Sequence, residues 1–487
     1  MIKKILLIMP PLRLEKEPCF TYSLPIIASV LEKSNYKVKI LDFEIYKHKI
    51  NEISLSKLIL SQDFDIVGIS GLITSYSFIQ NIINIIKRKY PQKKIIIGGG
   101  LASSIPEHAL NIMGADFIVY GEGVITVVEL LNAINKKQNL KAIKGLYYKS
   151  KGKIVKTEPR PLIRNLDDIP RAAYHLLDME KYVNNFNKFA GFKRNLVFLT
   201  SLGCVGQCTF CFRICGQGSY RVYSISRVIS DLKFLIKKYK IKHFIFIDEE
   251  FLLAKKRVKD LCNEITRNKL NITWNCSARA DSINLEIIKL IKKAGCVRVG
   301  LGIESGSQII LNNMKKNIKV DQIKKAIRIL RKARMPYGGT MMFGMVGENT
   351  QTIEETIKFC KEMEHDTEFF WTIPYPRTEI YNNLKSEGKI KDEKAFFTQL
   401  SDAYKFVINL TDFSDEELKW WKAYLQKQIK IPLYHKIMLR LKYDRLWNIS
   451  FHVYDFFRRK LFPHKYFEYK YQSKKYMIPV TKTKKQI

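Results

Sequence analysis

No stretch of the 487 residues reaches the roughly 18 consecutive apolar residues that a membrane-spanning helix needs. The apolar start Met1-Ile-Lys-Lys-Ile-Leu-Leu-Ile is broken at Pro10-Pro11 and lacks a small-residue cleavage site, so it reads as a buried first strand. Cysteine shows no paired pattern. Of the nine, Cys19, Cys262, Cys276, Cys296 and Cys360 stand alone, which argues against a secreted disulfide framework and for a reducing cytoplasm. Acidic residues are also short, 46 against 84 lysines and arginines, leaving a net charge of +38. Such an excess can attract nucleic acid or an anionic membrane. Lysine, isoleucine and asparagine abound along the whole chain, however, so the charge is read chiefly as lysine-rich composition on solvated helix faces. Core material is not lacking. With 46% hydrophobic and 12% aromatic residues, a chain this long can pack two or three domains.

Two series of strand and helix patterns follow one another. In residues 1–145 the apolar runs 4–9, 38–41, 65–70, 94–97 and 117–120 alternate with the helical patterns 24–32, 79–89 and 126–135. This predicts an α/β domain with a doubly wound parallel sheet, whose ligands bind beyond the carboxyl ends of the strands. Residues 146–195 read as a connector with Pro159, Pro161 and Pro170, and with a two-strand hint at 145–155. Alternation resumes over 196–400, with strands at 196–200, 243–247, 273–276, 297–303, 339–343 and 369–373. Helices are expected between them, for example at 228–239, 285–293, 322–334 and 353–364. Six such units predict a partial TIM-like barrel with its site at the strand carboxyl ends. Residues 401–487 form a basic, aromatic tail, read as helical.

The first strand of the second series runs into Cys204-Val-Gly-Gln-Cys208-Thr-Phe210-Cys211. Three thiolates at this spacing can hold one inorganic centre and leave a fourth position open. A zinc site would want a second close pair of cysteines, which the isolated ones do not supply. Cys215, four residues on, is placed to close the open position, or to serve as a loop residue lining the site. The motif, with an aromatic residue before its last cysteine, resembles the signature of the radical S-adenosylmethionine (SAM) superfamily. The resemblance implies a 4Fe–4S cluster on Cys204, Cys208 and Cys211 with one open iron for SAM.

Later segments match that family's SAM-holding strand ends in order. The resemblance places Asp248 and Glu249, in Phe246-Ile-Asp248-Glu249-Glu250, at the SAM ammonium group. It places Arg279 at the SAM carboxylate, where a guanidinium fork can bind two oxygens. Glu304 and Ser305, in Gly302-Ile-Glu304-Ser305, fall beside the ribose and amino-acid end, Gly344 on the adenine side, and Phe210 against the bound cofactor.

The amino-terminal domain resembles the cobalamin-binding domain fused to many radical SAM enzymes. The matching residues are Pro11, Ser70, Thr74, Gly98, Gly99, Gly100, Glu122 and Gly123. Glycines let backbone approach a corrin, and hydroxyls can bond its nucleotide tail. Val124 replaces the acid that usually follows Gly-Glu-Gly, and no Asp-x-His-x-x-Gly sequence marks a histidine ligand. The resemblance therefore implies cobalamin bound without histidine, as in radical SAM methylases.

Together the two resemblances imply an enzyme that cleaves SAM to a 5′-deoxyadenosyl radical and methylates an unactivated carbon or phosphinate centre. The substrate would be a lipid, a tetrapyrrole or a secondary metabolite, and the electron donor a flavodoxin or ferredoxin. A cyclisation or rearrangement with the same cofactors is the alternative. An RNA methylthiotransferase is a third reading, disfavoured because residues 1–145 hold only Cys19. Catalytic side chains are not marked in sequence. The tail from Leu433 to Met477, rich in basic and aromatic residues, either packs on the barrel or lies at the inner membrane surface; nucleic acid is the least favoured partner.

Overall fold

Continuous apolar runs cannot alternate a wet and a dry face, so they form strands covered on both sides. In the computed structural model, which describes residues 1–12, 18–46, 51–185, 194–213 and 218–432, these runs build two sheets. The first contains β1 (Lys4–Met9), β2 (Lys37–Asp42), β3 (Ile66–Ser70), β4 (Lys94–Gly98), β5 (Phe117–Val119), β6 (Leu146–Ser150) and β7 (Lys153–Lys156). Its order is β2-β1-β3-β4-β5-β6-β7, parallel through β5 and antiparallel beyond. The sheet thus runs past the expected boundary at 145. Leu146, Tyr147 and Tyr148 pair with β5 and cover what would otherwise be an open, apolar edge.

Next come β8 (Asn195–Phe198), the short antiparallel pair β9 (Ser201–Leu202) and β10 (Arg221–Val222), then β11 (His243–Phe246), β12 (Thr273–Arg279), β13 (Cys296–Glu304), β14 (Tyr337–Phe343) and β15 (Phe369–Trp371). The second sheet is parallel, in the order β15-β14-β13-β12-β11-β8. Six strands with β8 and β15 at its two edges make the expected partial barrel. All five expected strands of the first series and all six of the second are present, within a few residues.

Helices cover the sheets. Tyr76–Lys89 buries Ile79, Ile82, Ile83 and Ile86 on one stripe and ends in Lys87, Arg88 and Lys89, which favour its negative C-terminal dipole. The helix Glu52–Leu60 was not expected; it is announced only by the Asn51–Ser54 capping box. Residues Met1–Ile431 form the first of the two units into which the chain divides. Cys215 and the tail from 433 lie outside the described residues. No helix among the described residues is long and apolar enough to cross a membrane.

Four contacts lock the two sheets of the first unit together. The Tyr22 hydroxyl donates to the Val197 carbonyl at 3.1 Å, and Arg377 Nη1 to the Ser103 carbonyl at 2.6 Å. Phe397, on the helix Glu393–Gln399, stands edge-on to His108 at 5.1 Å and packs by Tyr76. The fourth is ionic: Glu122 accepts from Arg221 Nη2 at 2.6 Å and from the Ile163 N–H at 2.7 Å, with both charged side chains nearly buried. Replacing Glu122 by alanine leaves Arg221 without this carboxylate in a poorly solvated site. We expect a loss of about 3–5 kcal/mol in unfolding free energy, measured by denaturant titration.

Candidate active site

The chain leaves β8 through Ser201-Leu-Gly203, and Gly203 has a φ of +91°. A Cβ there would lie 2.0 Å from the Ser219 carbonyl oxygen, so only glycine lets the turn close. The turn delivers Cys204, Cys208 and Cys211, the second buried and the others half-buried. The loop is pinned from outside, because the Thr209 N–H donates to the Met314 carbonyl at 3.0 Å and the Ile380 N–H to the Thr209 carbonyl at 3.4 Å. Phe210 packs against the core beside it.

Burial pushes all three thiols above their ordinary pKa. The Gly206 N–H, 3.4 Å from the Cys204 sulfur, works the other way, as do Arg213 and, at Cys208, Lys316 and Arg279. Burial also disfavours the charge on Arg213, yet the three thiols around it raise its pKa on balance. Such thiols stay protonated until a metal displaces the proton. Among the described residues no three His, Cys, Asp or Glu side chains meet closely enough for a single ion. A cube gives each thiolate its own iron, so three separate thiols on one loop beside fixed cations fit it.

The acids after β11 face different ways. Asp248 is 2% exposed and accepts from the Thr200 N–H at 3.2 Å, from the Thr200 hydroxyl at 2.7 Å and from the Ser201 hydroxyl. Its oxygens brace the start of the cysteine loop, which departs from the expected contact with an ammonium group. Glu249 lies by Arg213 and Cys211. Glu250 was given no role by the motif. It accepts the Cys204 thiol at 3.6 Å and stands 3.6 Å from Arg279 Nε. Arg279 forks onto Asp281 at 2.8 and 3.1 Å and donates to the Lys316 carbonyl at 3.0 Å.

Glu304 ends β13 with a φ of +67°, a costly conformation for a residue with a side chain. Its carboxylate pairs with Lys316 Nζ at 2.8 Å, with both groups buried, and accepts from Thr340 at 3.5 Å. Lys316 follows the helix Gln308–Asn313, and no pattern in the sequence marks it. Ser305 is 1% exposed; its hydroxyl accepts from the Ser307 N–H at 3.1 Å and meets Thr356 at 3.3 Å, so it serves its own loop. Gly344, with φ +78°, donates its N–H to the buried Glu348 at 2.5 Å.

Between these groups, glycines on neighbouring strands leave room for the side chains around them. Ser277 on β12 aligns with Gly300 on β13, which aligns with Gly338 on β14, and Arg279 aligns with Gly302 and Thr340. Side chains added at Gly300, Gly302 and Gly338 would collide with Ser277, Glu304 and Arg298 respectively. Ser277 and Thr340 are exposed there.

The first sheet presents its glycine edge to the same place. Gly98 precedes the short helix Gly99–Ser104; Gly99 has φ +76° and lies so close to Ser70 that a Cβ would come 2.5 Å from its hydroxyl. A Cβ on Gly100 would lie 3.6 Å from the Phe212 ring, one residue beyond Cys211. The remaining expected residues are engaged locally. The Pro11 carbonyl accepts the Ser75 hydroxyl at 2.6 Å, and Thr74 donates to the Leu12 carbonyl at 3.1 Å. Glu122 holds Arg221, and Gly123 starts the helix Gly123–Asn135. A bare glycine edge facing a three-thiol loop can bring a flat cofactor up to a reacting centre.

Comparison with known proteins agrees with this layout. Residues 198–360 match the Radical SAM superfamily and residues 16–131 the B12 binding domain. An uncharacterized methyltransferase of Pyrococcus horikoshii is 34% identical over 396 residues, which span 79% of this chain and 84% of that one. An anaerobic magnesium-protoporphyrin IX monomethyl ester cyclase of Rubrivivax gelatinosus is 24% identical over 374 residues, 75% of this chain and 66% of the cyclase. Among solved structures, the radical S-adenosylmethionine methyltransferase TsrM of Kitasatospora setae, with cobalamin and a 4Fe–4S cluster bound, has a TM-score of 0.64. It is 19% identical and covers 80% of this chain and 76% of its own. That likeness shows the fold.

Glu348 gives the site a pH signature. Burial raises its carboxyl from 4.5 to about 7, against the pull of the Gly344 and Met345 N–H groups. A carboxyl that holds its proton more tightly when folded makes the folded state lose stability as pH rises from about 4.5 to about 7. Glu348→Gln keeps the acceptor and removes the titration. Relative to this variant, the wild type should lose on the order of 3 kcal/mol across that window, read from denaturant unfolding at stepped pH.

Proposed function

Because the chain belongs to the radical SAM enzymes that carry a B12-binding domain, we propose that it methylates an unactivated carbon or phosphinate centre of a small molecule or lipid. The observation that carries this reading is the approach of the glycine edge at Gly100 to Phe212, which sets the B12-binding sheet over the cysteine loop. When bound, the cluster supplies the electron that cleaves SAM, and cobalamin supplies the methyl group.

The chain's own residues bind, orient and exclude water. Cys204, Cys208 and Cys211 hold the cluster, and a flavodoxin or ferredoxin is the class of donor that feeds it. Arg279, already fixed by Asp281, offers its guanidinium to the SAM carboxylate, and Glu250 and Glu249 lie where they can accept from the ammonium group. The buried Glu304–Lys316 pair and the Gly344 turn line the remainder of the SAM seat. Substrate lies beside Ser277 and Thr340, the exposed polar side chains of β12 and β14. Hydrogen abstraction needs no side-chain acid or base, so positioning is the protein's main contribution.

The likeness to the cyclase of Rubrivivax gelatinosus supports a second reading, a ring closure with the same cofactors. Co-products separate the two before any substrate is known. An anaerobically reconstituted, cobalamin-loaded enzyme under reducing conditions should turn SAM into 5′-deoxyadenosine and, with the methyl group taken up by reduced cobalamin, into no more than one S-adenosylhomocysteine per cobalamin; 5′-deoxyadenosine with no S-adenosylhomocysteine would overturn methylation. Cys208→Ala should lose most bound iron and reduce 5′-deoxyadenosine formation at least a hundredfold. Undiminished cleavage in that variant would overturn the cluster assignment.

A further inference from the structure

Three cations stand around the cysteine loop, and they are not equivalent. Arg279 is forked onto Asp281 at 2.8 and 3.1 Å, and Lys316 is paired with Glu304 at 2.8 Å. Each of those charges is matched by a carboxylate within hydrogen-bonding distance. Arg213 is bonded differently. Its Nη1 donates to the Gly206 carbonyl and, at 3.5 Å, to the Cys204 carbonyl, seven and nine residues back along the chain. Among the described residues Arg213 has no carboxylate partner of this kind: Glu249 acts on it through charge, and the guanidinium bonds the Cys211 thiol. Gly206 marks the point of convergence, since a Cβ there would stand 3.6 Å from Arg213 Nη2, from Arg279 Nη1 and from the Cys204 sulfur.

From this geometry we propose that Arg213 is a positioning residue for the cluster: it ties the turn after Cys211 back onto the backbone at Cys204 and Gly206, and sets a fixed positive charge against the thiolates. The inference rests on the cluster assignment made above. The step it affects is the entry of one electron from a low-potential donor into the cluster, with no bond made or broken and no proton moved. Reduction adds a negative charge to an already anionic assembly of iron, sulfide and thiolate. A cation held beside it in a poorly solvated loop stabilises the reduced form more than the oxidised one. The guanidinium therefore makes the cluster easier to reduce, and its flat fork keeps the loop in the shape that receives it.

The test compares wild type, Arg213→Lys and Arg213→Gln after anaerobic reconstitution, with iron counted per chain and the cluster titrated with dithionite under electron paramagnetic resonance, without SAM. Arg213→Gln should shift the midpoint to lower potential, and Arg213→Lys should restore most of the wild-type value. If Arg213→Gln fails to load iron while Arg213→Lys loads it, the requirement for a cation is supported by that route. Equal iron and equal midpoints in wild type and Arg213→Gln would overturn the proposal, as would a shift in Arg213→Lys as large as that in Arg213→Gln. Iron missing from the wild type would instead overturn the cluster assignment.

Discussion

The ion pair between Glu122 and Arg221 sets the distance on which the rest of the site depends. Glu122 stands where β5 hands over to its helix, at the glycine edge of the first sheet. Arg221 lies on β10, the strand paired with β9 at the root of the cysteine loop. A bond of 2.6 Å between two nearly buried charges has little slack, because either group set free would be stranded from water. The Arg377 to Ser103 bond closes the same edge from the far end of the barrel. The sheet that matches the B12 binding domain and the sheet that matches the radical SAM superfamily are thereby held together.

Much of this fold is legible in the sequence, because buried parallel strands read as unbroken apolar runs and their helices as 3.6-residue stripes. The cysteines are legible for another reason: their spacing is itself the chemistry. Parity within a short turn is harder. Asp248, Glu249 and Glu250 are consecutive, and only the packed structure shows that Asp248 turns back to Thr200 while Glu250 reaches Cys204. Ser305 fails in the same way, since its hydroxyl is taken by Ser307 and Thr356. Lys316 and Arg213 carry no motif at all. They act through tertiary placement, beside Glu304 and across Gly206, which no local pattern encodes. The strands β6 and β7 were visible as a hairpin, but not as a continuation of the first sheet, because edge pairing is settled by what the neighbouring strand leaves uncovered.

The electrostatics of the cysteine loop show a balance between two opposing demands. Burial keeps the thiols protonated, while nearby cations lower the cost of removing the protons. Burial outweighs the cations, so the loop holds a set of neutral thiols whose protons a metal would have to displace. The strain at Glu304 belongs to the same economy: a left-handed residue is held in place by its buried partner Lys316.

The file of glycines at 300, 302 and 338 has a consequence beyond fit. A cavity walled by large side chains can change its occupant only by excavation, which leaves voids and costs stability. Addition is obstructed here as well, because a Cβ at Gly300, Gly302 or Gly338 would come within 2.9 Å of Ser277, Glu304 or Arg298. Variation on this face therefore has to begin with the neighbours Ser277 and Arg298, since Glu304 is tied to Lys316.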